Sequence, residues 1–479
     1  MTSYILGGGI TGLAAGLSSG LPVLEAAPEP GGICSSYYVR PGSDQRLAHA
    51  PSDEGAYRFE LGGGHWIFGG DATVLHFLKT LAPVKTYYRQ SSVYFREDDL
   101  YVPYPLQNHL RFMDRATVGQ VLKELAKQPG SFQTMEEWML QYFGPTLCEK
   151  FFYPFHDLYT AGLYKTIAPQ DAYKSPVSLA HVIQGAFDEA PAVGYNVSFV
   201  YPAEGLNALA HRMASLCDMR YNKRVSQVDV EGKELHLVDG TVLPYDTLIS
   251  TLPLNKMMEM TGLHVSAQKD PYTSVLVLNI GALRGPNCPD DHWLYNPDAK
   301  SGFHRVGFYS NVDRSFLPAS ARPRNEAVSI YIERAFVGGD TLTPQEVDDY
   351  SKAVVEELQE WGYITDAEVV DPTWIDVAYT WSYPNSRWKQ QAIQKLEDHS
   401  VYQVGRYGRW IFQGIADSIR DGFYAGSSFK YTGAPEVQLR AEAAAATART
   451  TPLRKVAGGR SPSQPEVATR KAAGVAGAD

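Results

Sequence analysis

Apolar and polar positions alternate with two different periods along the chain, which predicts a protein of mixed helices and strands. Near the N-terminus, the apolar run Tyr4-Ile5-Leu6 predicts a short strand, and residues 13–17 follow with a pattern compatible with a helix. Val23-Leu24-Glu25 predicts a second strand. Because glycines and a proline interrupt the segment between the two strands, we expect a helix of only two or three turns.

Further along, helical and extended patterns occupy different parts of the chain. Residues 115–190 carry apolar positions at helical spacing and predict a helical insertion. Residues 223–252 instead alternate as strands around the turn Asp239-Gly240. Residues 274–333 predict further strands, which we expect to form the floor or wall of a cavity, and residues 344–360 predict a helix.

The run Gly7-Gly8-Gly9-Ile10-Thr11-Gly12 joins the first strand to the first helix, an arrangement typical of a cradle for dinucleotide phosphates. Gly7 permits the tight turn, Gly9 lets the backbone approach a pyrophosphate, and Gly12 lets the helix pack closely on the strand. Glu25 stands where a ribose hydroxyl needs an acceptor. The strands of residues 223–252 resemble the sheet additions that close over a bound dinucleotide, and we assign Val225 among them to cofactor binding.

Composition narrows the classes of function. A chain of 479 residues exceeds one ordinary core, and its net charge of −10 disfavours binding to nucleic acid. We expect a cytoplasmic protein without a membrane partner, because no apolar stretch is long enough to span a bilayer and no leader precedes the first strand. Residues 435–479 lack aromatic side chains and predict a disordered tail. The cysteines form no C-x-x-C pair, so neither a disulfide framework nor a metal site is expected; they are Cys34, Cys148, Cys217 and Cys288.

Three further motifs carry candidate chemistry. In Gly62-Gly63-Gly64-His65, the glycines let the main chain lie against a flat ring that the imidazole can polarise, although a buried structural histidine would look the same. In residues 102–108, two prolines fix the path of the chain around Tyr104. In residues 405–409, two glycines and two guanidinium groups suit an anion or a cofactor, and a solvated loop is the alternative.

Taken in order, these motifs resemble those of the flavin-dependent UDP-galactopyranose mutases, in particular their eukaryotic-type branch. The resemblance spans roughly residues 1–430. Its N-terminal motifs are shared with amine oxidases, protoporphyrinogen oxidases and carotene desaturases, so they indicate FAD but not the reaction. The more selective motifs are Val102-Pro103-Tyr104-Pro105 and Trp293-Leu294-Tyr295. The others are Gly31-Gly32, Gly63-Gly64-His65, Phe303-His304-Arg305 with Ser310-Asn311, Tyr383-Pro384 and Gly405-Arg406-Tyr407-Gly408.

The resemblance also implies roles for individual residues. Gly64 and His65 would lie at the isoalloxazine ring, and Arg305 would bind the substrate diphosphate. The family uses a second arginine there, and its register falls at Lys174, whose ammonium supplies charge without a bidentate fork. The implied catalytic residues are His65, Arg305 and Lys174. The implied cofactor residues are Gly7, Gly9, Gly12, Glu25, Gly32, Gly64, Val225 and Arg406, and the implied substrate residues are Tyr104, Asn196, Trp293, Tyr295 and Tyr383. Arg89 and Tyr104 would surround cofactor and reductant.

The resemblance implies an FAD-dependent mutase that interconverts pyranose and furanose forms of a nucleoside-diphosphate sugar through a reduced-flavin sugar adduct. NADPH or NADH would supply the electrons, and a homo-oligomer is compatible with the sequence. One alternative is a flavin-dependent oxidase or desaturase that acts on an amine, a porphyrinogen or a polyene. Another is a flavin-binding protein without catalysis.

The predicted fold class is α/β, with three parts. A Rossmann-type FAD-binding domain would be assembled from residues 1–110, 195–255 and 395–430. A helical insertion would occupy residues 111–194. Residues 256–394 would form a mixed-sheet substrate domain.

Overall fold

The computed structural model describes residues 2–69, 71–127, 129–170, 178–194 and 196–432. Lys174 and the tail of residues 435–479, for which the sequence made predictions, lie outside the described residues. The predicted α/β class is confirmed, since parallel and mixed sheets occur together with helices along the chain.

The strands are β1 Ser3–Leu6, β2 Val23–Leu24, β3 Ser36–Val39, β4 Tyr57–Glu60, β5 Ile67–Phe68, β6 Val84–Tyr88, β7 Ser91–Phe95, β8 Leu100–Pro103, β9 Ser198–Pro202, β10 Met219–Arg220, β11 Val225–Asp229, β12 Glu234–Leu237, β13 Val242–Pro244, β14 Thr247–Ser250, β15 Tyr272–Arg284, β16 Trp293–Tyr295, β17 Arg305–Phe308, β18 Ala327–Val337, β19 Ile364–Thr380 and β20 Val401–Gln403. The helices are α1 Ile10–Ser19, α2 Ala72–Leu81, α3 Arg115–Leu125, α4 Met135–Leu147, α5 Tyr153–Tyr159, α6 Leu179–Phe187, α7 Leu206–Ala214, α8 Leu254–Thr261, α9 Tyr309–Val312, α10 Pro344–Glu360, α11 Trp388–Glu397, α12 Gly405–Gly408 and α13 Ile415–Thr432.

A parallel sheet of five strands, in the order β10-β2-β1-β14-β20, carries the glycine-rich turn. Its central strand β1 pairs with β2 on one side and with β14 on the other. Helix α1 follows β1 directly and has 10 residues, just under three turns, as the sequence predicts. It ends at Gly20, which adopts the left-handed conformation that glycine favours.

The strands predicted in residues 223–252 belong to two different sheets. Strands β11, β12 and β13 form a separate antiparallel sheet, whereas β14 joins the parallel sheet beside β1. Leu248, Ile249 and Ser250 are all buried, as expected for a strand covered on both faces.

A mixed sheet of seven strands, in the order β19-β15-β18-β17-β16-β7-β8, forms the second layer that bears on the site. Its longest pairings are antiparallel and join β15 to β18 and to β19. Helix α10 packs against β19, and it begins with a capping box in which Thr343 and Glu346 satisfy each other's backbone N–H groups. The predicted helix at residues 344–360 is confirmed to the residue.

Helices α3 to α6 lie between residues 115 and 187, in the region where the sequence predicts helical periodicity. Their core is aromatic, and the rings of Phe143 and Phe152 stack with centroids 3.8 Å apart. Within α4, Gly144 has a φ of +75°, which produces a kink just before Pro145. Among the helices that the structure describes, none has both the length and the apolar character needed to cross a bilayer.

Candidate active site

A cavity of about 670 Å³ connects the glycine-rich turn of the parallel sheet with the mixed sheet. This volume lies within the range of ligand and cofactor sites. The cavity wall brings together most of the sequence-predicted site residues: Gly7, Gly9, Glu25, Gly32, Gly64, His65, Tyr104, Asn196, Tyr295, Arg305 and Arg406.

The three glycines of the turn meet different requirements. Gly7 has a φ of +95°, which side-chain-bearing residues rarely adopt. A Cβ atom on Gly12 would overlap the carbonyl oxygen of Gly7, so α1 can approach the turn only with glycine there. A Cβ on Gly9 would meet no protein atom closer than the Gly31 carbonyl oxygen at 4.0 Å. Because Gly9 also lines the cavity, its missing side chain leaves room for a ligand, and this fits the pyrophosphate of a dinucleotide such as FAD.

Main-chain groups hold the Glu25 carboxylate at the end of β2. One of its oxygens accepts from the Gly8 N–H at 2.6 Å, and the other accepts from the Ala27 N–H at 2.7 Å. Each oxygen keeps a further lone pair, so a ribose hydroxyl can still donate to the carboxylate. The turn and Glu25 therefore suit the adenosine half of FAD.

A buried charged cluster lies where β17 pairs with β18. Arg305 stands opposite Glu333 in this register, and its Nη2 donates to the Glu333 carboxylate. Burial alone would raise the pKa of Glu333, but the Arg305 guanidinium and the neighbouring His304 lower it to about 2. Burial opposes the charge of Arg305, yet the carboxylate raises the pKa of Arg305 well above its ordinary value. The buried Nε–H of Arg305 has no hydrogen-bond partner within the part of the chain that the structure describes.

His304 completes this cluster. Its Nε2 lies 3.5 Å from the second carboxylate oxygen of Glu333, and both side chains are 2% exposed. Burial lowers the pKa of His304, so the imidazole is neutral near pH 7. The cluster therefore pairs one cation with one anion.

His65 lies on the cavity wall, and its Nδ1 is 3.4 Å from the Gly63 carbonyl oxygen. Burial and the nearby Arg406 lower the pKa of His65 to about 4. The imidazole is thus neutral at pH 7 and can hydrogen-bond to a ring without carrying charge. Gly63 has a φ of +79°, and a Cβ there would lie 2.8 Å from a Glu333 oxygen, so the turn before His65 requires glycine.

Arg406 approaches the same cavity from α12. Its Nη1 donates to the Gln413 carbonyl at 3.1 Å, and its guanidinium lies over the rings of Tyr379 and Phe412. A half-buried arginine, Arg89, follows β6 directly and connects this strand to the cavity. Arg89 donates to the Tyr104 carbonyl at 2.9 Å and to the Asn196 side-chain oxygen, which fixes both of these residues on the wall.

Several predicted site residues do not line the cavity. Gly12 packs behind the turn. Val225 begins β11, and it lies two residues after Lys223, whose N–H donates to the Glu25 carbonyl at 2.8 Å. Trp293 is buried in the adjacent core, where its ring contacts Phe68 and Phe199. Tyr383 follows the end of β19, and its N–H donates to Asp270 at 3.0 Å.

The structure adds residues that the sequence interpretation did not assign to the site. Glu333 pairs with Arg305, and only the register of two strands brings them together. Tyr379 of β19 lines the cavity, four positions before the predicted Tyr383. Helix α5 and its neighbours add an aromatic surface to the cavity, although the helical periodicity of residues 115–190 predicted only a helical insertion. The aromatic wall residues from this region and its surroundings are Trp138, Phe151, Phe152, Phe155, Tyr159 and Trp381.

Comparisons with known proteins agree with this geometry. The pattern of the flavin-containing amine oxidoreductases matches residues 15–446. The crystal structure of a reduced UDP-galactopyranose mutase superposes with a TM-score of 0.74 at 20% identity, covering 89% of this chain and 93% of that one. A CLA-producing fatty acid isomerase from P. acnes has a TM-score of 0.55 at 14% identity, covering 89% and 98%. Cyclohexylamine oxidase from Brevibacterium oxydans IH-35A has a TM-score of 0.55 at 12% identity, covering 89% and 98%.

At these identities the solved structures establish the fold alone. The family match spans nearly the whole described chain, and its flavin supports FAD as the group for which the glycine-rich turn and Glu25 are built. The protein belongs to the flavin-containing amine oxidoreductase family.

Proposed function

We propose that this protein is an FAD-dependent mutase that interconverts the pyranose and furanose forms of a nucleoside-diphosphate sugar. The observation that carries the proposal is the position of Arg305. This arginine lies on the cavity wall, its Nη2 is held by Glu333, and its side chain remains 22% exposed, so part of the guanidinium can meet a ligand in the cavity. A phosphate oxygen is a strong acceptor for a guanidinium.

The other charges of the cavity wall favour an anionic substrate over a protonated amine. Arg305 and Arg406 are its guanidinium groups. Its carboxylates are already engaged, Glu25 by main-chain N–H groups and Asp376 by Lys256 at 3.0 Å. A protonated amine would find, among the described wall residues, only Glu25, which faces the ribose position of the cofactor, and Asp376, which is paired with Lys256, whereas a diphosphate would gain the guanidinium of Arg305 as a charge-assisted partner.

When bound and reduced, the flavin supplies the nucleophile for the anomeric carbon of the sugar. The chain's own residues bind and orient the substrate. Arg305 stabilises the diphosphate, whose charge grows as it departs. Tyr104 and Tyr295, with ring centroids 4.7 Å apart, provide a surface for the sugar and its nucleotide. The neutral imidazole of His65 would hydrogen-bond to the isoalloxazine ring of the flavin.

The mutase and oxidase alternatives differ in their electron balance. Sugar isomerisation is redox-neutral, so reduced protein should turn over many substrate molecules without consuming reductant. We would incubate the reduced protein anaerobically with a panel of nucleoside-diphosphate hexopyranoses and measure furanose products by chromatography. One equivalent of reductant consumed per product, or oxidation of amines without furanose formation, would assign the protein to the oxidases.

A double variant tests the role of Arg305 without leaving a buried carboxylate unpaired. Arg305→Ala with Glu333→Gln should lose on the order of 2–5 kcal/mol in transition-state binding, at least about 30-fold in kcat/KM, while flavin content stays unchanged. Arg334→Ala is the matched control, since this arginine is the chain neighbour of Glu333 on β18 and is not among the described residues of the cavity wall. If the double variant turns over nucleotide sugars as well as the parent does, Arg305 is not the diphosphate ligand.

A further inference from the structure

Two histidines and a glutamate converge at the loop that follows β2 and leads to the cavity residues Gly31 and Gly32. These residues, Glu29, His49 and His211, each offer one ligand atom, and the three atoms lie within 4.8 Å of one another. His211 Nε2 is 3.0 Å from Glu29 Oε2, and the two imidazole rings have centroids 5.3 Å apart. The sequence predicts no metal site because the cysteines form no C-x-x-C pair, but this cluster uses histidine and glutamate side chains instead.

The three side chains come from three separately fixed segments. Glu29 stands between two prolines in the loop after β2, and His211 belongs to the last turn of α7. The loop that carries His49 is held by two backbone hydrogen bonds between Tyr38 and Leu47, of 2.8 and 2.9 Å. Ligand atoms on fixed supports lose little freedom on binding, which favours capture of an ion.

The geometry points to a site for a divalent metal ion of the zinc class. Imidazole nitrogen and carboxylate oxygen bind Zn²⁺ at roughly 2.0–2.2 Å, so two ligand atoms of one tetrahedral ion lie roughly 3.4 Å apart. The three ligand atoms of the cluster all lie within 4.8 Å of one another, and His211 Nε2 and Glu29 Oε2 lie 3.0 Å apart, so the cluster is near this spacing. Three protein ligands leave the fourth position to water.

Such an ion would act on cofactor binding, because Glu29 lies two residues before Gly31. The Gly31 N–H donates to the Gly8 carbonyl at 2.8 Å, and both Gly31 and Gly32 line the cavity. A metal bound by Glu29, His49 and His211 would clamp this loop to α7. By linkage, metal and flavin would then raise each other's affinity by the same factor.

The test titrates the flavin-loaded, chelator-treated protein with Zn²⁺ in a calorimeter. We expect one binding site, which His49→Ala and Glu29→Gln each weaken by at least about tenfold. His76→Ala, which removes an exposed histidine from α2, should bind like the parent. Because His49 is exposed, its replacement does not disturb the core. Zinc binding that is absent from the parent, or unchanged in His49→Ala, would overturn the site.

The clamp has its own measurement, the rate at which FAD dissociates on dilution, followed by flavin fluorescence. Zn²⁺ should slow this release several-fold in the parent and in His76→Ala but not in His49→Ala. An unchanged release rate at saturating zinc would show that the ion, although bound, does not clamp the loop. Neither measurement depends on mutase activity.

Discussion

Removing Arg305 alone should destabilise the protein as well as inactivate it. Arg305→Ala leaves the Glu333 carboxylate, 2% exposed, without its cation. The pKa of Glu333, about 2 in the folded protein against an ordinary 4.5, corresponds to about 3 kcal/mol of stabilisation. Since the folded pKa is the lower one, this stabilisation is present above about pH 4.5 and is lost as the pH falls towards 2. Breaking a buried pair by removing one partner costs about 3–5 kcal/mol, which is consistent with this value.

The assay is urea unfolding of the flavin-loaded protein at pH 7, followed by tryptophan fluorescence. We expect Arg305→Ala to lose about 3–5 kcal/mol of unfolding free energy, and Glu333→Gln in the same chain to restore most of that loss, because a neutral amide needs no cation. Activity should not return with stability. If Arg305→Ala loses less than about 1 kcal/mol of unfolding free energy, or if the double variant recovers none of the loss, the buried ion pair is not the source of this stability.

Three other expectations follow from particular contacts. Gly9→Val should fold but lack FAD, as measured by flavin absorbance, and full flavin occupancy in this variant would contradict the cradle. Gly12→Ala should lower both the flavin content and the melting temperature, because its Cβ would overlap the Gly7 carbonyl oxygen. Burial raises the pKa of Glu60 to about 7, so the folded state holds a proton that the unfolded state releases above pH 4.5. Glu60→Gln should therefore be more stable than the parent at pH 8, by up to about 3 kcal/mol, and equal to it near pH 4. Urea unfolding at both pH values measures this difference. Phe152→Ala should cost about 3–5 kcal/mol of unfolding free energy, and a cost under 1 kcal/mol would contradict the stacked core seen around it.

The cofactor turn could be predicted from the sequence because its determinants are local. The positive φ of Gly7 and the close packing at Gly12 arise within one strand, one turn and one helix. Glu25 follows at the end of the next strand, where its place is fixed by the short α1. The start of α10 is likewise local, since a capping box needs only four consecutive residues.

The substrate side could not be predicted in this way, because distant strands assemble it. Arg305 and Glu333 meet through the register of β17 and β18, which no local pattern specifies. Strand β19 pairs with β15, and that pairing contains register shifts that no local pattern reveals. Tyr379 lies within this strand and lines the cavity, whereas Tyr383 lies beyond the end of the strand at Thr380. The motif Trp293-Leu294-Tyr295 predicted Trp293 at the substrate site, and the structure places its ring in the core.

The order of strands in the parallel sheet has a consequence for how the protein is made. The sheet combines β1, which ends at Leu6, with β20, which starts at Val401. At roughly 5–20 residues per second, a ribosome needs about 20–80 s to synthesise that span. During this time the glycine-rich turn exists without its completed sheet. Flavin therefore has a finished site to enter only near the end of translation, and a chain interrupted before β20 would present an unpaired edge at β14 to its neighbours.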